Sequence, residues 1–342
     1  MIKRLRLAAL GVCLAVAALP CAPVLAAPPV PVGPLAFSDH FASLDVDDLT
    51  GTPGSHRWAP YFGSRGNLSV GNASLPGNGE AQVYLYPQFA GVVCGLDAAG
   101  RPQNVYGRPG PAASAAGAPC YTRPGPAPLG YNPFSLLPGG GVRISADRLS
   151  PTPLLWNHRY WSGLLSTRYS FSQRYGYVEV RARLPRGKGA FPAVWMVPVN
   201  GQWPPELDGL EAGGGDVRTV FQSVHTSAET PRSTTRVVRL GFDASAGWHT
   251  YGFAWSDQEV VWYADGVKTA RRRAPADFNQ PFYLMINLAV GASWAAIGQP
   301  DATTRFPLNF DIASVEVWRL GPGPIAGPIP AQAPATAAKA GG

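Results

Sequence analysis

Trp203-Pro204-Pro205-Glu206-Leu207-Asp208-Gly209-Leu210-Glu211 places three carboxylates within six residues of a chain that is only 14% charged. In a β-strand alternate side chains share a face, so Glu206 and Asp208 point one way and Glu211 the other. One extra residue restores the parity, and a β-bulge supplies it. Gly209 is placed to be that residue, because glycine accepts the backbone angles a bulge needs. At ~3.3 Å per residue the Cα atoms of the two glutamates then lie about 13 Å apart. From there two inward-leaning side chains bring their carboxyl groups to about 5–5.5 Å, the spacing of a retaining glycosidase. A competing reading makes Asp208-Gly209 a type I′ hairpin turn and the acids its solvated fringe. Pro204-Pro205 before the motif and Gly213-Gly214-Gly215 after it are poor partners for so tight a hairpin.

The rest of the chain reads as β-structure. It holds 40 glycines and 36 prolines and shows no long helical periodicity. Short strand-like runs recur between turn signals: Tyr177–Leu184, Val217–His225, Thr234–Leu240, Thr250–Ser256, Glu259–Ala264, Phe282–Leu288 and Ile312–Leu320. Asp265-Gly266 reads as a hairpin turn. The expectation is an all-β fold, a jelly-roll sandwich of two antiparallel sheets with few, short helices.

The N-terminus has Lys3, Arg4 and Arg6, an apolar run from Leu7 to Leu19, and the small-residue site Val24-Leu25-Ala26. That order is a signal peptide over residues 1–26, so the expected location is extracellular or periplasmic, with no membrane span after cleavage. Cleavage removes three basic residues and lowers the formal charge from +7 to +4. This mild bias tolerates acidic polysaccharides and gives no argument for a nucleic-acid partner. Arg271-Arg272-Arg273, the sole basic run, reads as a solvated loop after a turn. Cys94 and Cys120 remain as an even pair in an oxidising compartment, consistent with one disulfide. Residues 27–35 are a Pro-rich lead-in, 36–320 a single domain carrying a Gly/Pro-rich insertion at 87–130, and 321–342 a Pro/Ala/Gly tail. A monomer is expected.

An ordered set of segments then carries a resemblance: YWSGLLST (160–167), YGYVEVRARLP (175–185), GKGAFPAVWMVP (187–198), ELDGLE (206–211), VHT (224–226), WHTY (248–251), and PFYLMINLAVG (281–291). The set resembles glycoside hydrolase family 16, endo-acting β-glycanases and transglycosylases on a concanavalin-like jelly roll with a concave substrate cleft. The WPPELD run and NPFSLLPGG (132–140) look most like bacterial endo-β-1,3(4)-glucanases and succinoglycan depolymerases. The resemblance implies Glu206 as nucleophile, Glu211 as general acid/base and Asp208 as the residue between them, tuning Glu206. It suggests Trp195 and Trp294 as sugar platforms, His225 and Asn287 as hydrogen-bonding partners, and Glu80, near Gln82, on the non-reducing side. Each has a plainer alternative: core packing for the tryptophans, a structural role for the histidine. Trp255, Trp262 and Trp318 are assigned to the core or the outer sheet. Gly209 departs from the bulky aliphatics usual in the family, which raises the prospect of a loosened bulge. Many relatives bind calcium. Asp39 and Asp311 lie in strands that could supply it, but two isolated carboxylates are a weak start on 6–8 oxygens, and no metal or cofactor is expected. The alternatives kept open are a transglycosylase using the same residues and a non-catalytic glucan-binding, lectin-like protein.

Overall fold

The computed structural model of the 342-residue chain describes residues 27–48, 52–62, 73–86, 89, 92–94, 120–122, 129–150, 155 and 158–320. The expected signal peptide, the 321–342 tail and most of the 87–130 insertion lie outside the described residues. The strands are β1 Val32–Asp39, β2 Gln82–Tyr84, β3 Val92–Cys94, β4 Cys120–Thr122, β5 Phe134–Leu136, β6 Val142–Arg148, β7 Tyr160–Ser162, β8 Leu164–Ser166 and β9 Gly176–Arg183. They continue as β10 Ala190–Pro198, β11 Glu206–Ala212, β12 Thr219–His225, β13 Ser233–Arg239, β14 His249–Trp255, β15 Glu259–Ala264, β16 Val267–Arg273, β17 Phe282–Val290 and β18 Leu308–Leu320. Among the described residues, named helical structure amounts to two 3₁₀ turns, Pro76–Asn78 and Ala276–Phe278.

Two sheets pack face to face. The larger runs β16-β15-β14-β9-β18-β6-β7-β2, with β1 added to β18 and β5 to β6; the smaller runs β13-β12-β11-β10-β17-β8. All named pairings are antiparallel except β2 with β7. Alternation sorts each strand between core and surface. Val194 and Met196 of β10 and Leu284, Ile286 and Leu288 of β17 face Val178, Val180, Phe253, Trp255, Phe310 and Ile312 of the larger sheet, all essentially inaccessible. Each such side chain contributes about 1.5–3 kcal/mol of burial. Both sheet topology and core match the expected jelly-roll sandwich.

Several expectations change. Glu206–Ala212 is a strand, not a turn, which removes the Asp208-Gly209 hairpin. The lead-in joins the sheet four residues early, because Val32 already pairs with Leu320. Arg271-Arg272-Arg273 is not a solvated loop but the end of β16: Arg271 ion-pairs with Glu259, and Arg272, mostly buried, with Glu229. The Asp265-Gly266 turn feeds straight into that strand, so the alternation of its arginines sends one along the sheet and the next toward β13, where Arg272 also donates to Thr234 Oγ1 at 2.6 Å. Asp39 and Asp311 are committed elsewhere than to a cation. Asp39 accepts from the Phe41 amide and Trp58 Nε1, while Asp311 accepts from Arg143 and Arg183. Two guanidinium groups on Asp311 oppose a metal there. Cys94 and Cys120 are register partners in the β3–β4 ribbon; their side chains lie outside the described residues.

Candidate active site

The site is built on the surface of the smaller sheet that faces away from the core, and the irregular step in β11 decides it. On β10, Trp195 lies opposite Asp208 and Val194 opposite Leu210, leaving Gly209 unpaired; on β12, Ser223 opposes Asp208 and Phe221 opposes Glu211. The extra residue keeps Leu207, Leu210 and Ala212 in the core while Glu206, Asp208 and Glu211 share the other face. Gly209 does not adopt the left-handed backbone that the bulge was expected to demand. What it supplies is room: a Cβ there would sit 2.0 Å from Cδ1 of Phe253, on β14 of the opposite sheet. The phenylalanine ring fills the space that an aliphatic residue would take, so the bulge is packed rather than loose. Trp262, also from the opposite sheet, donates its indole N–H to the Asp208 carbonyl at 2.8 Å and pins the same step.

The three acids sit in different surroundings. Asp208, at 1% exposure, is hydrogen-bonded to Glu206 and lies 3.2 Å from His225 Nε2. A hydrogen bond between two carboxyl groups requires one proton between them, so the pair titrates in two steps. Burial, followed by the charge of Asp208, pushes Glu206 up, while His225 and the indole of Trp203 pull it down. The raising causes prevail, so in the resting site the shared proton lies on Glu206, and passing it to Asp208 ionises Glu206. Glu211, also buried, accepts from Ser223 Oγ at 3.0 Å, and Ser223 in turn contacts Thr235 Oγ1 at 3.0 Å. His225 is held by Ser233 Oγ on its other nitrogen at 2.7 Å.

The expected sugar-contacting residues fall into two groups. Trp195 and Asn287 are neighbours, with the indole N–H donating to Asn287 Oδ1 at 2.7 Å, and the ring of Phe62 lies 6.0 Å from Trp195. Trp294 leans on Phe221, 4.2 Å between ring centroids, over the Glu211 end of the strands. Glu80 lies in a buried polar cluster. It is 7% exposed and surrounded by Gln82, Asn78 and Tyr84. Trp255 and Trp262 are in the core, and Trp318 stacks on Tyr177 on the back of the larger sheet. Sequence reasoning passed over Trp203, whose indole donates to Glu206 while 64% of the residue is exposed. Its place three residues before an acid in WPPE was the available signal. Ser223 and Tyr84 were missed as well; register opposite Asp208 would have found the serine.

Among the described residues, two donor sets have spacings a cation could use, Glu206/Asp208/His225 and Asp47/Asp48/His56. In the first the carboxylates are occupied with each other and with His225; in the second Asp47 accepts from Tyr61 at 2.6 Å and His56 contacts Asp45 at 2.8 Å. Neither offers more than spacing.

Comparison with known proteins bears on the family. Residues 139–310 match the model for glycosyl hydrolases family 16. The chain is 35% identical over 261 residues to the endo-1,3-1,4-beta-glycanase EglC of Rhizobium meliloti (strain 1021), covering 75% of this chain and 46% of that protein, so it spans about half the relative's length. It is 34% identical over 202 residues to a beta-glucanase of Rhodothermus marinus, covering 53% of this chain and 69% of that one. Among solved structures, the laminarinase catalytic domain from Thermotoga maritima MSB8 superposes with a TM-score of 0.58 at 25% identity, over 84% of this chain and 98% of the other. A bulged strand carrying E-L-D-G-L-E on the open face of a two-sheet sandwich, together with these matches, places the chain in glycosyl hydrolases family 16.

Proposed function

We propose that this protein is an exported, endo-acting glycoside hydrolase that cleaves a β-1,3- or β-1,3-1,4-linked glucan, or a succinoglycan-like exopolysaccharide, with retention of configuration. The observation carrying the reading is the β11 bulge, which gathers Glu206, Asp208 and Glu211 on one face. Glu206 attacks the anomeric carbon as the bond to the leaving oxygen breaks, and Glu211 gives that oxygen its proton. A glycosyl ester on Glu206 results. Water then attacks the same carbon, Glu211 takes the water's proton, and Glu206 leaves as a carboxylate. Asp208 takes the shared proton from Glu206 ahead of the attack and holds it through both steps, withdrawing a negative charge from the nucleophile's flank. Ser223 orients Glu211, and the tryptophan faces of Trp195 and Trp294 offer C–H-binding platforms.

A transglycosylase would share every step except the acceptor. A glucan-binding protein without chemistry has no need of two outer carboxylates, and both are present here. The test is a panel of laminarin, lichenan, agarose, carrageenan and succinoglycan, with products read by mass and anomeric configuration by NMR. Wild type should shorten a β-1,3-containing polymer and release products of retained configuration, and Glu206→Gln should lose activity by roughly 10³-fold or more. An equally active variant removes the nucleophile assignment, and redistribution of chain lengths without new reducing ends identifies the transglycosylase.

A further inference from the structure

Beneath Trp195 runs a buried chain of polar groups that the chemistry above does not use. Asn287 accepts from the Trp195 indole and donates its amide N–H to Tyr84 Oη at 2.9 Å. Tyr84 donates to Glu80 Oε2 at 3.5 Å, and Gln82 Nε2 donates to the same oxygen at 2.7 Å. Asn78 Nδ2 approaches Glu80 Oε1 at 3.4 Å. Glu80, Gln82, Tyr84 and Asn287 are all buried, and Trp195 on β10 is half-buried.

The direction of every bond in this chain is fixed from its ends. An indole N–H can only donate, so Asn287 must present its oxygen to Trp195 and its nitrogen to Tyr84. Tyr84, having accepted there, has its hydroxyl proton left for Glu80. On the other branch the Val290 amide donates to Gln82 Oε1 at 2.7 Å, which turns the Gln82 nitrogen toward Glu80. Both branches therefore end on Glu80 Oε2, and that oxygen accepts from both whether or not the other carboxyl oxygen carries a proton. Buried networks of this kind hold one geometry when every member is satisfied.

We propose that Glu80 is a positioning residue: through Tyr84 it sets the orientation of the Asn287 amide, and through Asn287 the plane of the Trp195 indole against which a sugar ring packs. The functional half of this rests on the reading of the site given above; the structural half does not. Two measurements test it. The first follows the indole N–H resonance of Trp195 in ¹⁵N-tryptophan-labelled protein, assigned by its loss in Trp195→Phe. Glu80→Gln and Tyr84→Phe should each move that resonance although neither residue touches the indole. A resonance unmoved in both variants overturns the proposal whatever the protein's activity. The second is kinetic, on the polymer that the panel identifies. Each variant should raise KM about five- to tenfold, the loss of a buried hydrogen bond, while kcat falls less than threefold. In an Asn287→Ala background the same changes should add less than twofold to KM, because the chain is already cut. Full additivity, or a fall in kcat with KM unchanged, overturns the positioning role. If wild type cleaves nothing in the panel, the catalytic reading fails and the resonance still decides the relay.

Discussion

Glu80 shows how much a single side chain's surroundings add to its identity. A carboxyl group removed from water without a cation beside it disfavours its charged form. Burial pushes Glu80 from its ordinary 4.5 up to about 7, against the opposing pull of Gln82, Asn78, the Leu75 backbone and Tyr84. The folded protein thus keeps a proton that the unfolded chain releases between pH 4.5 and 7. Stability from this group is complete below 4.5 and is lost as pH rises through 7. At 1.36 kcal/mol per unit the loss is about 3 kcal/mol. Urea unfolding at a series of pH values should show wild type losing that much more than Glu80→Gln across the interval; parallel curves would contradict it. At this scale the sequence conveyed that Glu206, Asp208 and Glu211 share one face, because strand parity and one extra residue follow from spacing. It did not convey that Glu80 is enclosed, since enclosure depends on Tyr84 and Asn287, which lie 203 positions apart. Nor did it convey the tie from Trp203 to Glu206, which depends on how the loop before β11 folds back.

The bulge in β11 joins backbone irregularity to packing between the sheets. Its glycine was legible, but for another reason than the one it serves: the requirement is the close approach of Phe253, not an unusual φ. Sequence separates these two residues by a whole hairpin, so the cause was invisible until the sheets were stacked. Gly209→Ala should overpack that contact, lower stability by about 1–3 kcal/mol, and reduce kcat roughly 10²-fold by displacing Glu211. Adding Phe253→Leu should restore a large part of both losses. Unfolding and steady-state assays of the single and double variants check this, and a double variant no better than Gly209→Ala alone would exclude the Phe253 contact as the constraint. The β16 arginines teach the converse. A run of charge in sequence resembles a solvated loop, yet here strand alternation gives Arg271 and Arg272 separate carboxylates.

Across the whole molecule, the architecture was readable from strand-length runs and turn signals, while the ties between distant strands were not. Asp311 on β18 holds Arg143 of β6 and Arg183 of β9, joining three neighbouring strands on the outer face of the larger sheet. Burial pushes its carboxyl up, but the hydrogen bonds and charges of the two arginines prevail and hold it below the ordinary 3.8. A depressed folded value contributes stability above the unfolded one, and that contribution disappears as pH falls through the folded value. Asp311→Ala should therefore cost about 1.5–3 kcal/mol at neutral pH, because two partly exposed guanidinium groups lose their shared hydrogen-bond acceptor. The gap from wild type should narrow below about pH 3.8. Denaturant unfolding at pH 7 and at pH 3 tests both, and a gap independent of pH would assign the loss to packing instead.

The pairing of β1 with β18 sets Val32 directly across from Leu320, so the first and last described strands of the domain are adjacent in one sheet. A short linker could join them without spanning the molecule. Opening the chain instead between Asp265 and Gly266, an exposed turn remote in sequence from β11, would yield a circular permutant that keeps every sheet pairing named above. In such a reordered chain β11 would keep its neighbours β10 and β12, so the shared face of its three acids depends on which strands lie side by side and not on where translation begins.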